Sequence, residues 1–204
     1  MAFRCPEGCT LGKLDKSIHD RASFVCGEEA LDEYLRAQAR QDQDKSVSVT
    51  HVLARDGTAT ILGYCTIANA DVPLAVVPKD VARKLSKKTH LPALLIARLA
   101  VHKEAQGQGF GTALLMYALD ISIRQSENSG LALVIVDAKH QKAAHFYARY
   151  GFAPLHVPQV RRPLYGLMAA IGLRKVAGPP SFPQRMFLVM STVRQTMAQV
   201  VPKS

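Results

Sequence analysis

The chain has 204 residues, 48% apolar and 21% charged, which excludes a disordered protein and suits one domain that buries a core without disulfides or a structural metal. Lysine and arginine number 26 against 16 acids, a net charge of +10, and no apolar run is long enough to span a bilayer. The excess is all late: residues 1–137 hold 16 basic and 16 acidic side chains, residues 138–204 hold 10 basic and none acidic. Such asymmetry points to an anionic partner (nucleic acid, an acidic cofactor or a membrane surface) rather than to a tail that only needs solubility.

The first twenty residues carry charges throughout and lack the apolar stretch of a signal peptide, so the chain reads as soluble and cytoplasmic. Four cysteines, Cys5, Cys9, Cys26 and Cys65, show no zinc spacing and no disulfide framework; no metal is expected.

Gly27–Arg40 predicts a helix, with acids at its start, arginines at its end and Leu31, Tyr34 and Leu35 on one face. Ser46–Arg55 and Ala59–Ala68 flank Asp56-Gly57 and predict a hairpin. Residues 71–92 read as a surface excursion with a short helix. Ala93–Val101 is a mostly apolar strand, Gln106–Gly111 a glycine-rich turn, and Thr112–Gln125 a helix. Leu131–Val136 is apolar throughout and predicts a strand buried on both faces. Gln141–Tyr150 predicts a helix stopped by Gly151, and Phe187–Met190 a last strand. The order implies an α/β fold with a mixed sheet and crossovers, as one domain over residues 1–204. Residues 153–186 hold six of the eleven prolines and predict an irregular basic excursion.

Chemistry concentrates in Gln106-Gly107-Gln108-Gly109-Phe110-Gly111-Thr112, which follows a strand and opens a helix. Three glycines let successive N–H groups turn into one concavity, and the helix start adds unpaired N–H groups and a positive dipole end. That combination binds phosphate. No Lys follows as in a P-loop, and the third glycine is misplaced for a dinucleotide fingerprint. A turn that merely tightens a strand–helix connection fits the same residues.

Gln106-x-x-Gly109-x-Gly111 resembles the acetyl-CoA pyrophosphate loop of GNAT-type N-acetyltransferases. Arg98-Leu99-Ala100-Val101 resembles the strand that pairs with the pantetheine arm, and Phe146-Tyr147-x-x-x-Gly151-Phe152 the superfamily's last conserved helix and its exit. Phe24-x-Cys26-Gly27-x-x-x-Leu31-Asp32-x-Tyr34-Leu35-Arg36 and Gly63-Tyr64-x-Thr66 bring the resemblance closer to the TacT-type toxins that acetylate charged tRNA. Departures are Ala97 where that family often has Gly, His102 where it commonly has Asp, and a longer stretch over residues 153–185.

The resemblance implies a GNAT fold and direct acetyl transfer from acetyl-CoA to the amine of a charged tRNA, which blocks translation. It implies a ribbon-helix-helix antitoxin and a homodimer as partners, with no membrane. N-acetylation of a small amine or a protein amine is the alternative. Leu99, Ala100 and Val101 would supply backbone N–H groups to the pantetheine and the thioester carbonyl. Gln106, Gly107, Gln108, Gly109, Phe110, Gly111 and Thr112 would hold the pyrophosphate. Tyr147 is the expected general acid, since a phenol of pKa about 10 stays protonated at neutral pH. Read from the residues alone, Tyr147 equally extends an apolar face with Phe146 and Tyr150. His140 and His145 are weaker candidates for a base. Arg36, Arg40, Arg83, Lys84, Lys87, Lys88, Lys142, Arg149, Arg161 and Arg162 form the candidate tRNA surface, a backbone-charge contact without stacked aromatics.

Overall fold

The computed structural model describes residues 3–85, 89–155 and 182–200. Lys87, Lys88, Arg161, Arg162 and most of the predicted excursion lie outside the described residues.

The chain runs β1 (Cys9–Lys13), α1 (Glu29–Glu33), a π-helical turn (Tyr34–Gln38), α2 (Ala39–Asp44), β2 (Val49–Arg55), β3 (Ile61–Pro73), α3 (Lys79–Leu85), β4 (His90–Val101), α4 (Phe110–Ser129), β5 (Leu133–Ala138), α5 (Gln141–Ala148), β6 (Ala153–Pro154), β7 (Gln184–Val189) and α6 (Met190–Val200). Among the described residues the strands form one mixed sheet in the order β1-β2-β3-β4-β5-β7-β6, with β4 and β5 parallel and every other pair antiparallel. This is the predicted α/β architecture.

The sheet separates two cores. On one face Leu94, Ile96, Val134, Val136, Met186 and Leu188 pack on α4, α5 and α6 through Leu115, Leu119, Tyr147 and Val193. On the other, Val52, Tyr64 and Ala100 meet Tyr34, Leu35 and Ala39 of the first helical segment, while Val72, Ala93 and Phe187 meet the α3 region. The π-helical turn widens the first segment so that Tyr34 and Leu35, adjacent in sequence, are both buried.

Residues 71–92 depart from the sequence expectation. β3 and β4 extend the hairpin to Pro73 and His90, so only the middle of that span is an excursion. Pro92 sits inside β4 without cost, because its carbonyl accepts from Ala132 on the side where β5 has not yet begun to pair. The missing N–H faces that same side and forfeits no ladder bond. Gly63 sits where α4 crosses β3: an added Cβ would lie 2.8 Å from Leu114 Cδ1 and 2.9 Å from the Ala100 carbonyl oxygen. Gly63→Ala is therefore expected to destabilise the protein by about 1–3 kcal/mol, measured as a lower urea midpoint with unchanged slope.

Candidate active site

The site begins where β4 and β5 part. They pair only from Ala93–Leu133 to Ile96–Val136. A bulge in β4 at Ala97, between the pairs Ile67–Ile96 and Thr66–Arg98, bends the strand there. Beyond it β4 continues to Val101 paired, among the described residues, with β3 alone, leaving a notch open toward β5.

The ladder decides which amides face the notch. His102 N–H donates to the Leu62 carbonyl at 2.8 Å, so position 102 points at β3. By alternation Ala100 also points at β3, opposite Tyr64, while Leu99 and Val101 point into the notch. Of the three backbone donors expected from sequence, two are brought to the notch and Ala100 is spent within the sheet.

The glycine turn lies at the end of this strand. Gly107 (φ +80°) and Gly109 (φ +85°) occupy the left-handed region, where a side chain is strained. Gly111 does not: it is an ordinary residue of α4, and an added Cβ would stand 3.7 Å from Val101 Cγ2 and 3.9 Å from Phe146, in normal contact. No side chain caps α4, so the N–H groups of Phe110, Gly111 and Thr112 remain without intrahelical partners. The Gln106 amide donates to the carbonyls of Cys26 (2.9 Å) and Val101 (3.1 Å), fastening the turn to β4 and to the loop before α1. Gln108 donates to the Glu104 carbonyl at 3.0 Å. Thr112 Oγ1 lies 2.6 Å from the Tyr150 hydroxyl, so its side chain joins α4 to α5 and only its backbone N–H is left to offer.

Tyr147 is buried against Phe146 and Phe152. Burial, with the Cys65 thiol and then the Asp137 carboxylate nearby, pushes its phenol far above the usual tyrosine range. Cys65 stands opposite Leu99 in the ladder, and Asp137 is the first β5 residue past the last β4 pair. On the α4–α5 face of the sheet, Tyr147 and Cys65 belong to one apolar cluster against which Leu99 and Val101 pack. Among the described residues the Tyr147 hydroxyl makes no hydrogen bond; only Gln43 Oε1 is both sealed from solvent and unpartnered there.

The two histidines have structural work. His140 Nδ1 accepts from Ala143 N–H at 3.1 Å and caps α5, and His145 meets the Gln141 side chain at 2.8 Å. The basic list is also thinned. Arg36 reaches Glu29 at 2.7 Å and Glu33 at 3.3 Å, and Arg40 reaches Asp44 at 3.2 Å, so these two are already paired. Arg83 and Lys84 are exposed on the last turn of α3, Lys142 is exposed on the first turn of α5, and Arg149 lies against the Phe146 and Tyr150 rings.

A parted pair of parallel strands, a bare strand edge, a glycine turn and an uncapped helix start define an acyltransferase of the acetyl-CoA type. Residues 48–154 match the family model described as "Acetyltransferase (GNAT) domain", and the chain belongs to that family. It is an acetyltransferase. A protein of Mycobacterium tuberculosis named tRNA-acetylating toxin is 34% identical over 143 residues, 68% of this chain and 84% of the relative. The structure of AtaT complexed with acetyl-methionyl-tRNAfMet has a TM-score of 0.74 at 23% identity, over 92% of this chain and 98% of that one. A tyrosine-to-phenylalanine mutant of the AtaT toxin, bound to the C-terminus of the antitoxin AtaR and acetyl-CoA, has a TM-score of 0.71 at 21% identity, over 95% and 100% of the two chains. Both structures share the fold described above.

GNAT acetyltransferases use acetyl-CoA, and the donor set here fits it: free amides for an amide-rich arm on β4, and glycine and helix-start amides for a diphosphate. Gly109→Ala is expected to cost about 1–2 kcal/mol of stability through its φ and to raise the KM for acetyl-CoA. Gly111→Ala, within a helix and in open contact, is expected to be neutral or stabilising by up to about 1 kcal/mol in the same unfolding assay.

Proposed function

We propose that the protein transfers the acetyl group of acetyl-CoA to the α-amine of the amino acid on a charged tRNA, and that it halts translation as the toxin of a toxin–antitoxin pair. The observation that carries this reading is the 34% identity, over two thirds of the chain, to a relative named for tRNA acetylation. The family match over residues 48–154 spans Leu99, the glycine turn and Tyr147. A ribbon-helix-helix antitoxin, a homodimer and a cytoplasmic location belong to the same reading. No helix among the described residues is long and apolar enough to cross a membrane.

Acetyl-CoA supplies an acyl group activated as a thioester. The N–H groups of Phe110, Gly111 and Thr112, with the turn held by Gly107 and Gly109, bind the diphosphate. The Leu99 and Val101 amides orient the arm, and a backbone N–H in the notch polarises the carbonyl as charge grows on its oxygen. The attacking α-amine titrates near or below ~7.7–8.0, so a useful fraction is already neutral and little base is needed. As the new C–N bond forms and the C–S bond breaks, the nitrogen releases one proton to solvent, the sulfur takes one from the phenol, and the phenol is reprotonated from solvent. Tyr147 donates toward the sulfur, and its raised pKa keeps the proton on the phenol throughout the neutral range.

Tyr147→Phe is expected to lower kcat by about 10²–10⁴-fold, with little change in the unfolding midpoint because the hydroxyl has no partner among the described residues to lose. Labelled acetyl-CoA and total charged tRNA, followed by identification of the acetylated aminoacyl ester, test the substrate. Transfer to charged tRNA is expected to fall about tenfold or more between ~50 and ~200 mM salt as phosphate contacts are screened. Transfer confined to free polyamines or protein amines, with no salt dependence, would contradict the assignment.

A further inference from the structure

The Arg98 side chain takes no part in the chemistry above, although its strand does. Residues 98 and 100 of β4 face the sheet side covered by the first helical segment, away from α4 and α5. There the Arg98 guanidinium lies over the Tyr34 ring, with Cζ 3.4 Å from the centroid. Tyr34 is itself fixed: it is buried, its hydroxyl is 3.3 Å from Ser48 Oγ, and it stacks with Tyr64, whose hydroxyl donates to the Leu31 carbonyl. It is also the first residue of the π-helical turn, a local irregularity often found at functional sites.

The guanidinium is therefore held over the ring and half-buried, yet among the described residues no carboxylate lies within ion-pair distance of it. The contrast with its surroundings is chemical. Arg36 on the same segment is held by Glu29 and Glu33. Arg185, on the same sheet face across the notch, is gripped by both oxygens of Asp137 at 2.7 Å each. The buried Asp32 carboxylate accepts instead from Cys26 N–H at 2.8 Å. Arg98 alone among these keeps its planar fork of donors without an acid, one residue before the Leu99 amide that faces the notch.

A stacked guanidinium of this kind offers a planar fork of donors that a phosphate or a carboxylate matches bidentately, and no carboxylate of the described residues takes it. The diphosphate of acetyl-CoA is matched by the α4 amides at the strand's far end, on the other side of the sheet. In an aminoacyl ester the α-amine and the phosphate of its own nucleotide are separated by the ester and one ribose, a span comparable to an extended arginine. We propose that Arg98, backed by Tyr34, is a positioning residue on the acceptor side that takes the phosphate of the nucleotide carrying the amino acid. This rests on the reading of the substrate as charged tRNA.

The test compares two acceptors with the full-length protein: a charged tRNA, and the methyl ester of the same amino acid, which has the amine and no phosphate. Arg98→Gln is expected to lower the ratio of kcat/KM for tRNA to kcat/KM for the ester by roughly ten- to a hundredfold, the scale of one charge-assisted bond. Arg98→Lys, which keeps the charge and loses the stacked fork, should recover only part of that ratio and remains informative if the glutamine variant misfolds. An unchanged ratio in a folded variant overturns the role of Arg98 and leaves the substrate reading intact. So does a rise confined to the KM for acetyl-CoA, which would assign the guanidinium to the donor instead. No transfer to charged tRNA by the unaltered protein overturns the substrate reading, and this inference with it.

Discussion

The structure turns on the parting of two parallel strands. β4 and β5 share only the stretch from Ala93–Leu133 to Ile96–Val136, and past the bulge at Ala97 β4 pairs, among the described residues, with β3 alone. A strand edge inside a sheet ordinarily has its amides satisfied, and burying them unpaired is costly. Here Leu99 and Val101 are only half-buried, so their amides stay solvated until an amide-rich partner lies along them. The remaining features sit around that gap: the glycine turn at the end of β4, the bare first turn of α4, and Tyr147 in the apolar cluster against which Leu99 and Val101 pack.

Supporting contacts hold the gap to its geometry. Gln106 ties the turn to the Val101 and Cys26 carbonyls, Gly63 lets α4 press close to β3, and the Thr112–Tyr150 hydroxyl pair joins α4 to α5. The two faces of the sheet then have different tasks. One carries the helix start and the phenol; the other carries Tyr34, Arg98 and the Asp137–Arg185 pair, where an acceptor approaching the same notch from the opposite side would meet them. Strand alternation sends the Leu99 side chain to the α4 face and the Arg98 side chain to the Tyr34 face.

Much of this is legible in the amino-acid sequence. Strong local signals carried it: the glycine run between a strand and a helix, the apolar run at Leu131–Val136, and the hairpin around Asp56-Gly57. What was not legible depended on distant partners. β1 and β6 are short and pair only because β2 and β7 offer edges. Pro92 closes the stretch 71–92 that reads as a surface excursion, yet it lies inside β4, where its carbonyl accepts from Ala132. Gly111 looked like its neighbours Gly107 and Gly109, yet only those two have positive φ. The Arg36 and Arg40 side chains counted as free cations in the sequence, whereas helical spacing set them on Glu29, Glu33 and Asp44. The acid-free fork of Arg98 had no sequence signal at all, since it arises from a π-helical turn packing across the sheet.

The most direct measurement is amide-resolved hydrogen exchange with and without acetyl-CoA. Leu99, Val101, Phe110, Gly111 and Thr112 should gain protection on binding, while Ala100, already bonded to β3, should not change. Protection spread equally over Ala100, or absent from Leu99 and Val101, would mean that the parted strands do not receive the thioester carrier.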